Sequence, residues 1–271
     1  MFRPAHPFAR VGAAVIAAAV LLSACAEKKE DYVERPVEEL YNEAMDLVDS
    51  GEYFKASKAF DEVDRQHPYS VWATKAQLMS AYVLYERNRY TEALVAIDRF
   101  IQLHPGNKDT PYAYYLKGLC YYEQIADVSR DQKMTESALK SLQEVVDRFP
   151  ASRYARDAKL KVDLTRDHLA GKEMAIARYY HRNNQLLAAL NRYKIVIEQY
   201  QTTSHVPEAL HRMIEVYLAL GLTAEAEKTA SVLGHNFPGS EWYQDSFDLV
   251  RGGGGKMAAA QESGGWFGWL W

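Results

Sequence analysis

Few residues in this chain are of a type and spacing that would suit catalysis. The sequence has no H-E-x-x-H, G-x-S-x-G or G-x-G-x-x-G motif, the patterns that hold a zinc ion, a nucleophilic serine or a dinucleotide. Gly255-Lys256 resembles the end of a phosphate-binding loop, but Met257 replaces the Ser or Thr that contacts magnesium and Val250 replaces the first glycine. Cys120 has no histidine within helical reach, so we expect a small buried apolar group. The sequence therefore predicts no enzyme and no cofactor.

The histidines, the cysteine count and the net charge exclude further classes of site. His67 and His104 each precede a proline that ends a repeated segment, which favours a structural role at a turn over a metal site. His181 and His211 stand alone on predicted helices and are expected to be surface or packing residues. Only two cysteines are present, which excludes a disulfide scaffold or a multi-cysteine zinc site. The net charge of −4 argues against nucleic acid as a partner, because such binding depends on basic residues.

Tyrosine is the residue type that points to binding. The chain has 19 tyrosines, and each offers a rigid apolar ring with a hydroxyl at its tip and few rotors to freeze. Several such rings on one face would suit an extended peptide with aromatic side chains and a hydrogen-bonding backbone. Which tyrosines share a face depends on the elements that carry them.

These elements are predicted by an internal repeat. Segments that end in proline recur at Pro68, Pro105, Pro150 and Pro238, and a degenerate copy ends at Tyr200-Gln201. In a frame of about 34 residues, small residues recur where two paired helices approach closely, which resembles the tetratricopeptide pattern. We therefore predict an all-α fold, an α-solenoid of about five tetratricopeptide-like helix pairs that are stabilised by stacking. The small residues are Ala44, Ala81, Gly118 and Ala177 in the first helices, and Ala56, Ala93, Ala138, Ala189 and Ala226 in the second helices.

Local turn signals agree with this repeat. Gly51, Asn88 and Gly221 fall between the two helices of their copies, where a left-handed residue commonly ends a helix. The polar insertion 126–134 in the third copy is expected to be a surface loop. Residues 152–184 contain Gly171 as their single breaker, so they form either one long helix or a helix pair that breaks there.

The tyrosines fall mainly on the first helices. In the tetratricopeptide class, positions 2, 5, 9, 12 and 13 of each first helix line a concave groove, and six tyrosines occupy such positions in the first three copies. Some of these rings are instead expected to pack between helices. The residues that we predict for this groove are Tyr41, Lys75, Leu78, Tyr82, Tyr85, Tyr112, Tyr115 and Tyr122.

The N-terminus has the features of an export and anchoring signal. Residues 1–24 combine a basic start with a short apolar run, which is typical of a secretory signal. They end at Leu22-Ser23-Ala24-Cys25, which resembles the bacterial lipobox, so we predict a lipoprotein signal peptide and an acylated Cys25. Residues 25–36 are then the acylated N-terminus and a charged linker. Ala26 follows the cysteine, where aspartate favours retention at the inner membrane, so the outer membrane is expected.

The C-terminus differs in kind from the repeats. The repeat domain is predicted over residues 37–250, and residues 251–271 are interpreted as a Gly-rich linker and an aromatic tail that carries three of the five tryptophans. One interpretation of this tail is an internal pseudo-ligand of the tyrosine groove. The alternatives are a tryptophan cluster at a membrane interface and an inert tail.

The chain as a whole resembles the BamD (ComL) family of outer-membrane lipoproteins over about residues 22–250. The specific stretches are the lipobox, His67-Pro68-Tyr69-Ser70, Ala76–Tyr82, Ala96–Ile101, Tyr114–Leu119, Ala177–Tyr180 and Ala188–Arg192. His67 departs from the family, in which an aromatic residue is common at this position, so a role for His67 in client contact is not implied.

The resemblance implies a non-enzymatic scaffold subunit of the outer-membrane β-barrel assembly (BAM) complex, lipid-anchored in the cell outer membrane and facing the periplasm. Its N-terminal repeats would receive the targeting segments of unfolded outer-membrane β-barrel proteins, which makes the tyrosine groove the client site. Its C-terminal repeats would dock BamA beside other BAM subunits, with Asn191 and Arg192 at the matching position. The alternative is another periplasmic repeat lipoprotein, an adaptor that coordinates cell-wall synthesis.

Overall fold

A computed structural model describes the backbone of residues 34–263 and the side chains of residues 34–252. Over this range the chain forms eleven α-helices and no strand, so the predicted all-α fold is confirmed. The helices are α1 Val37–Asp49, α2 Tyr53–Gln66, α3 Val71–Glu86, α4 Tyr90–Leu103, α5 Thr110–Tyr122, α6 Lys133–Arg148, α7 Arg153–Arg182, α8 Leu186–Gln199, α9 Val206–Ala219, α10 Thr223–Asn236 and α11 Glu241–Ser263.

The helices stack as the repeat predicts. Each helix packs against the next along the chain, and α1, α3, α5 and α7 also contact one another in that order. The small residues allow this close approach: a Cβ atom on Gly118 of α5 would lie 2.7 Å from Leu142 Cδ2 of α6. The first helices of the first four copies therefore lie side by side and form one continuous face of the solenoid.

The turns inside four of the five helix pairs share one conformation. Gly51, Asn88, Asn184 and Gly221 have φ values of 75°, 57°, 56° and 73°. In each turn the next residue's amide donates back to a carbonyl five positions earlier, for example Glu52 N to Leu47 O at 2.8 Å, which is the Schellman closure of a helix end. The turns predicted at Gly51, Asn88 and Gly221 are confirmed, and Asn184 is a fourth that the sequence analysis missed.

The ends of the second helices also share one conformation. The capping residues His67, His104, Phe149, Tyr200 and Phe237 all have φ between −125° and −134°. His67 Nε2 is hydrogen-bonded to the Arg35 carbonyl oxygen at 2.7 Å, and His104 Nε2 to Gln77 Oε1 at 3.0 Å. The structural role that the sequence predicted for these two histidines is confirmed.

Helix α7 connects the two halves of the solenoid. It is one uninterrupted helix of 30 residues that contains Gly171. The interpretation as one long helix is therefore confirmed, and the helix pair that breaks at Gly171 is wrong. Its first half contributes Ala158 and Val162 to a core with α5 and α6. Its second half contributes Met174 and Ala177 to the core that α8 to α11 share. Because both cores include the same rigid helix, α7 fixes the two halves to each other.

The last helix corrects one prediction. Helix α11 continues through Gly252–Gly255 to Ser263, where the sequence suggested a flexible break. Each interior glycine costs about 1 kcal/mol relative to alanine, a penalty that weakens a helix without forbidding it as proline does. Residues 1–33 and 264–271 lie outside the described residues, and with them the predicted signal peptide, Cys25 and the tryptophan tail. Among the described helices, none combines the length and apolarity needed to cross a membrane.

Candidate functional site

Three tyrosines of the second repeat lie in a row, each ring against the next. The ring centroids of Tyr82 and Tyr85 on α3 are 6.5 Å apart, and Tyr85 lies 5.8 Å from Tyr90, the first residue of α4. All three side chains are half-buried. Such spacing is typical of aromatic pairs that attract each other beyond the burial of their area.

A second group continues from the third repeat. The ring of Tyr154, near the start of α7, lies 5.2 Å from Tyr112 and 5.3 Å from Tyr115, both on α5. Tyr82 and Tyr85 also act electrostatically on Tyr112, so the two groups adjoin. Because α3, α5 and α7 lie side by side, their rings form one surface.

We call this surface the tyrosine face and define it by the half-buried rings of Tyr53, Tyr82, Tyr85, Tyr90, Tyr112, Tyr115 and Tyr154. Tyr53 joins it because Tyr53 and Glu86 both act electrostatically on Tyr82. None of these seven rings is fully buried, so each presents part of its ring to solvent. The face spans the first three repeats and the start of α7.

Carboxylates accept hydrogen bonds from the tyrosine hydroxyls. The Tyr85 hydroxyl donates to Glu123 at 3.4 Å, and the Tyr115 hydroxyl donates to Asp157. Burial, together with the hydrogen bond and charge of Glu86, raises the pKa of Tyr82 to about 12. Burial first and then the neighbouring carboxylate raise the pKa of Tyr85 and Tyr115 above the usual range. The hydroxyls are therefore neutral at physiological pH and can donate or accept a hydrogen bond.

The structure brings four of the predicted groove residues into this face, namely Tyr82, Tyr85, Tyr112 and Tyr115. Tyr122 lies further along α5, where Lys161 Nζ is 5.2 Å from its ring centroid. At the opposite end, Tyr41 packs 4.9 Å from Trp72, and Lys75 Nζ lies 4.3 Å from the same Trp72 ring.

The prediction that Leu78 lines the groove is wrong. Its side chain is 5% exposed and belongs to the core that α3, α4 and α5 share. Helix α3 is enclosed by neighbours on several sides, and it also buries Ala76, Ala81 and Val83. Burial of apolar surface favours a leucine on such a helix in the core. The groove position of the tetratricopeptide class therefore does not hold for Leu78.

The predicted groove omits Tyr53, Tyr90 and Tyr154, because the prediction covers only the first helices of the first three copies. One signal could have found two of them. Tyr53 and Tyr90 are each the first residue of a second helix, at equivalent positions of neighbouring repeats. A ring at that position lies over the turn and reaches the face of the first helix.

At the other end of the molecule, Arg192 is only partly available. Its Nη1 donates to Glu173 Oε2 at 2.9 Å, and the two side chains are 38% and 18% exposed. Asn191 is exposed. Beside this pair lies an open cleft of about 410 Å³. Its lining includes Arg130, Gln132, Glu136, Lys172, Glu173 and Tyr200.

A network of charged side chains joins α7, α9 and α11. Arg178 Nε donates to Glu208 Oε1 at 2.9 Å, and Arg212 Nη1 donates to Glu215 Oε2 at 2.8 Å. His211 is buried, and its Nδ1 lies 2.8 Å from the hydroxyl oxygen of Ser246 on α11. His211 is thus a packing residue, one of the two roles that the sequence allowed.

Cys120 is buried, and the described part of the chain holds no cluster of metal ligands. Burial raises the pKa of the Cys120 thiol to about 12 and leaves the side chain with no exposed surface, so the reactive thiolate is disfavoured. Within residues 34–252, no three histidine, cysteine or carboxylate side chains converge as metal ligands would.

The all-α solenoid of paired helices, with an aromatic face on its first helices, defines a repeat protein of the tetratricopeptide kind. Residues 33–233 match the model of the YfiO family, described as an outer membrane lipoprotein. The chain belongs to this family. Two relatives named outer membrane protein assembly factor BamD are similar over most of their length, one from Caulobacter vibrioides and one from Rickettsia prowazekii.

The Caulobacter protein is 50% identical over 255 residues, which cover 93% of this chain and 84% of the relative. The Rickettsia protein is 44% identical over 239 residues, which cover 88% and 95%. Among solved structures, a thermophilic TPR protein from Thermus thermophilus aligns over 80% of this chain and 98% of its own, at 17% identity and a TM-score of 0.38.

Proposed function

We propose that this protein is an outer membrane protein assembly factor, a non-enzymatic scaffold subunit of the BAM complex. Its relatives at 50% and 44% identity carry that name, and the matched family is one of outer membrane lipoproteins. On this proposal Cys25 carries the lipid that anchors the protein in the outer membrane, and the repeats face the periplasm.

The tyrosine face is the proposed site for the targeting segments of unfolded β-barrel proteins. The single observation that supports this role is the row of seven half-buried rings over three adjoining repeats and the start of α7. Rigid aromatic rings bind an extended segment with little loss of side-chain entropy. Their neutral hydroxyls and the carboxylates beside them can bond the amides of the segment's backbone.

A peptide-binding assay tests this site. A C-terminal peptide of a barrel protein should bind about tenfold or more weakly to Tyr85→Ala, because an anchoring ring at an interface contributes about 1.4 kcal/mol or more. Tyr179→Ala is the matched control, since Tyr179 is 58% exposed and lies at the far end of α7. Equal affinities of the two variants would exclude the tyrosine face as the site.

The C-terminal repeats are the proposed docking site for BamA, with Arg192 and Asn191 as contacts. A guanidinium that is 38% exposed can bind a partner's carboxylate while it keeps Glu173 as a neighbour. A membrane pull-down with tagged mature protein should recover BamA with the wild type and much less with Arg192→Glu. Arg182→Glu, an exposed arginine at the end of α7, is the matched control.

A second variant is needed because Arg192 already forms an ion pair with Glu173 within the chain. Arg192→Glu places two acids together, so a loss of BamA could reflect local repulsion against Glu173. The charge swap Arg192→Glu/Glu173→Lys restores the internal pair but not the outward arginine. Renewed BamA capture by the swap would show that Arg192 acts only within the chain. Recovery of cell-wall enzymes in place of BamA would instead support the cell-wall adaptor.

A further inference from the structure

The first residues of the described chain are tied to the end of α2. The Arg35 amide donates to Gln66 Oε1 at 3.0 Å, and the Arg35 carbonyl oxygen lies 2.7 Å from His67 Nε2. The Arg35 guanidinium also pairs with Glu39 and Glu43 on α1. These contacts fix the point at which the chain reaches the solenoid, and that point lies beside the turn between α2 and α3.

This turn is close to the proposed lipid anchor. Cys25 precedes Arg35 by ten residues, and a fully extended chain spans at most about 3.5 Å per residue. The acylated cysteine therefore holds the α2–α3 turn within about 35 Å of the bilayer surface. A group at this turn experiences a high effective concentration of lipid.

The same turn exposes two large apolar side chains. Tyr69 is 102% exposed and Val71 is 74% exposed. Within residues 34–252, the Tyr69 ring stacks on no other aromatic ring, and Val71 begins α3 with its side chain in solvent. Neither residue contributes to the core or to the tyrosine face.

The corresponding turns of the other repeats carry no such groups. One residue after the proline position, where the first repeat has Tyr69, the other copies have Gly106, Ala151, Thr202 and Gly239. Three residues after it, where the first repeat has Val71, they have Lys108, Arg153, Ser204 and Glu241. The turn conformation thus requires no aromatic or branched apolar residue at these two positions. Such residues occur there only in the first repeat, which is nearest the anchor.

We propose that the α2–α3 turn is a membrane contact, in which Tyr69 and Val71 enter the headgroup region of the bilayer that holds the acyl chain. Tyrosine is favoured at this depth because its ring is apolar and its hydroxyl stays hydrated. The turn supplies a protein contact beside the lipid, and membrane affinity rises with the apolar area that is buried. This inference rests on the acylation of Cys25 in the proposed function.

Fluorescent labelling of the acylated, full-length mature protein tests the contact. An environment-sensitive NBD label is placed at Tyr69→Cys in a Cys120→Ala background, and the protein is reconstituted into phosphatidylethanolamine/phosphatidylglycerol vesicles. Gly106→Cys and Gly239→Cys are matched controls at the equivalent turns, where an added Cβ meets no atom within 4 Å. The label at 69 should be blue-shifted and at least twofold less quenched by aqueous iodide than the control labels.

Equal iodide quenching at positions 69, 106 and 239 would overturn the proposal, as would protection at 69 that requires BamA or a client peptide rather than lipid. Mass spectrometry that finds no acyl chain on Cys25 would also overturn it. Failure of the assembly function is distinguishable, because Tyr69→Ser/Val71→Ser should still capture BamA and bind the client peptide. If that variant instead loses BamA or the client peptide, and the label at 69 is quenched as strongly as the control labels, the turn serves assembly and the membrane contact alone is refuted.

Discussion

The two halves of the solenoid on either side of α7 satisfy their polar groups in different ways. The N-terminal half places tyrosine hydroxyls against carboxylates and leaves the rings half-exposed, as at Tyr85 and Glu123. The C-terminal half pairs arginine with glutamate between helices, as at Arg178 and Glu208, and buries His211. The tyrosine–carboxylate arrangement leaves apolar surface that a ligand can contact. The arginine–glutamate arrangement uses charged side chains to bind one helix to another within the chain.

This difference shows that residue type alone does not identify a binding residue. Arg178 and Arg212 are as suitable for recognising a carboxylate as Arg192, yet both have carboxylate partners on α9. Arg192 also has a partner, Glu173. Exposure does not separate Arg178 from Arg192, because their side chains are 42% and 38% exposed. The existing pair does, since Arg178 binds Glu208 through two nitrogens and Arg192 binds Glu173 through Nη1.

The largest expected effect is on packing in the N-terminal half. In Gly118→Val, the new side chain would overlap Leu142, because even a Cβ atom lies 2.7 Å from its Cδ2. We expect a loss of about 3 kcal/mol in unfolding free energy, measured by denaturant titration. Gly106→Val, at an open turn, should change stability by less than about 0.5 kcal/mol. A loss below about 1 kcal/mol for Gly118→Val would show that α5 and α6 can separate easily.

The next effect concerns the ion pairs of the C-terminal half. In Glu208→Gln, Arg178 loses its charged partner, and Arg212, 3.8 Å away, is left beside a second arginine. We expect a loss of about 1 to 2 kcal/mol, reduced because Arg178 is 42% exposed. Hydrogen exchange should show the loss in α9 rather than in α3. Glu92→Gln, which breaks an exposed pair with Arg89, should be close to neutral.

A smaller effect should depend on pH. Burial alone would raise the pKa of Glu215, but hydrogen bonds from His211 and Arg212 outweigh it and hold the pKa below the usual 4.5. A carboxyl with a lowered pKa in the folded state stabilises the protein above its unfolded value. The stabilisation should be lost as the pH falls below 4.5 and through the folded value. Fluorescence-monitored unfolding across this range should show a weaker pH dependence for Glu215→Gln.

The smallest effect separates ring from hydroxyl on the tyrosine face. Tyr85→Phe removes a 3.4 Å hydrogen bond to the exposed Glu123 and keeps the ring. We expect a change in stability within about 0.5 kcal/mol and less than about threefold in client-peptide affinity, in contrast to Tyr85→Ala. A tenfold loss for Tyr85→Phe would shift the interpretation from ring contact to hydrogen bonding.

The sequence by itself determined the helical repeat, the turns at Gly51, Asn88 and Gly221 and the structural role of His67 and His104. Each depends on local chemistry: the left-handed conformation, the restraint before proline and small residues at regular spacing. A residue's local spacing carries that information without knowledge of distant neighbours.

Only the tertiary structure decided which side chains share a surface. Leu78 is buried because α3 has neighbours on several sides, and Tyr154 reaches the tyrosine face because α7 packs beside α5. The sequence also did not determine whether α7 continues through Gly171, since one interior glycine destabilises a helix by only about 1 kcal/mol. Packing of α7 against both halves outweighs that cost, and this packing consists of contacts between segments that are distant in the sequence.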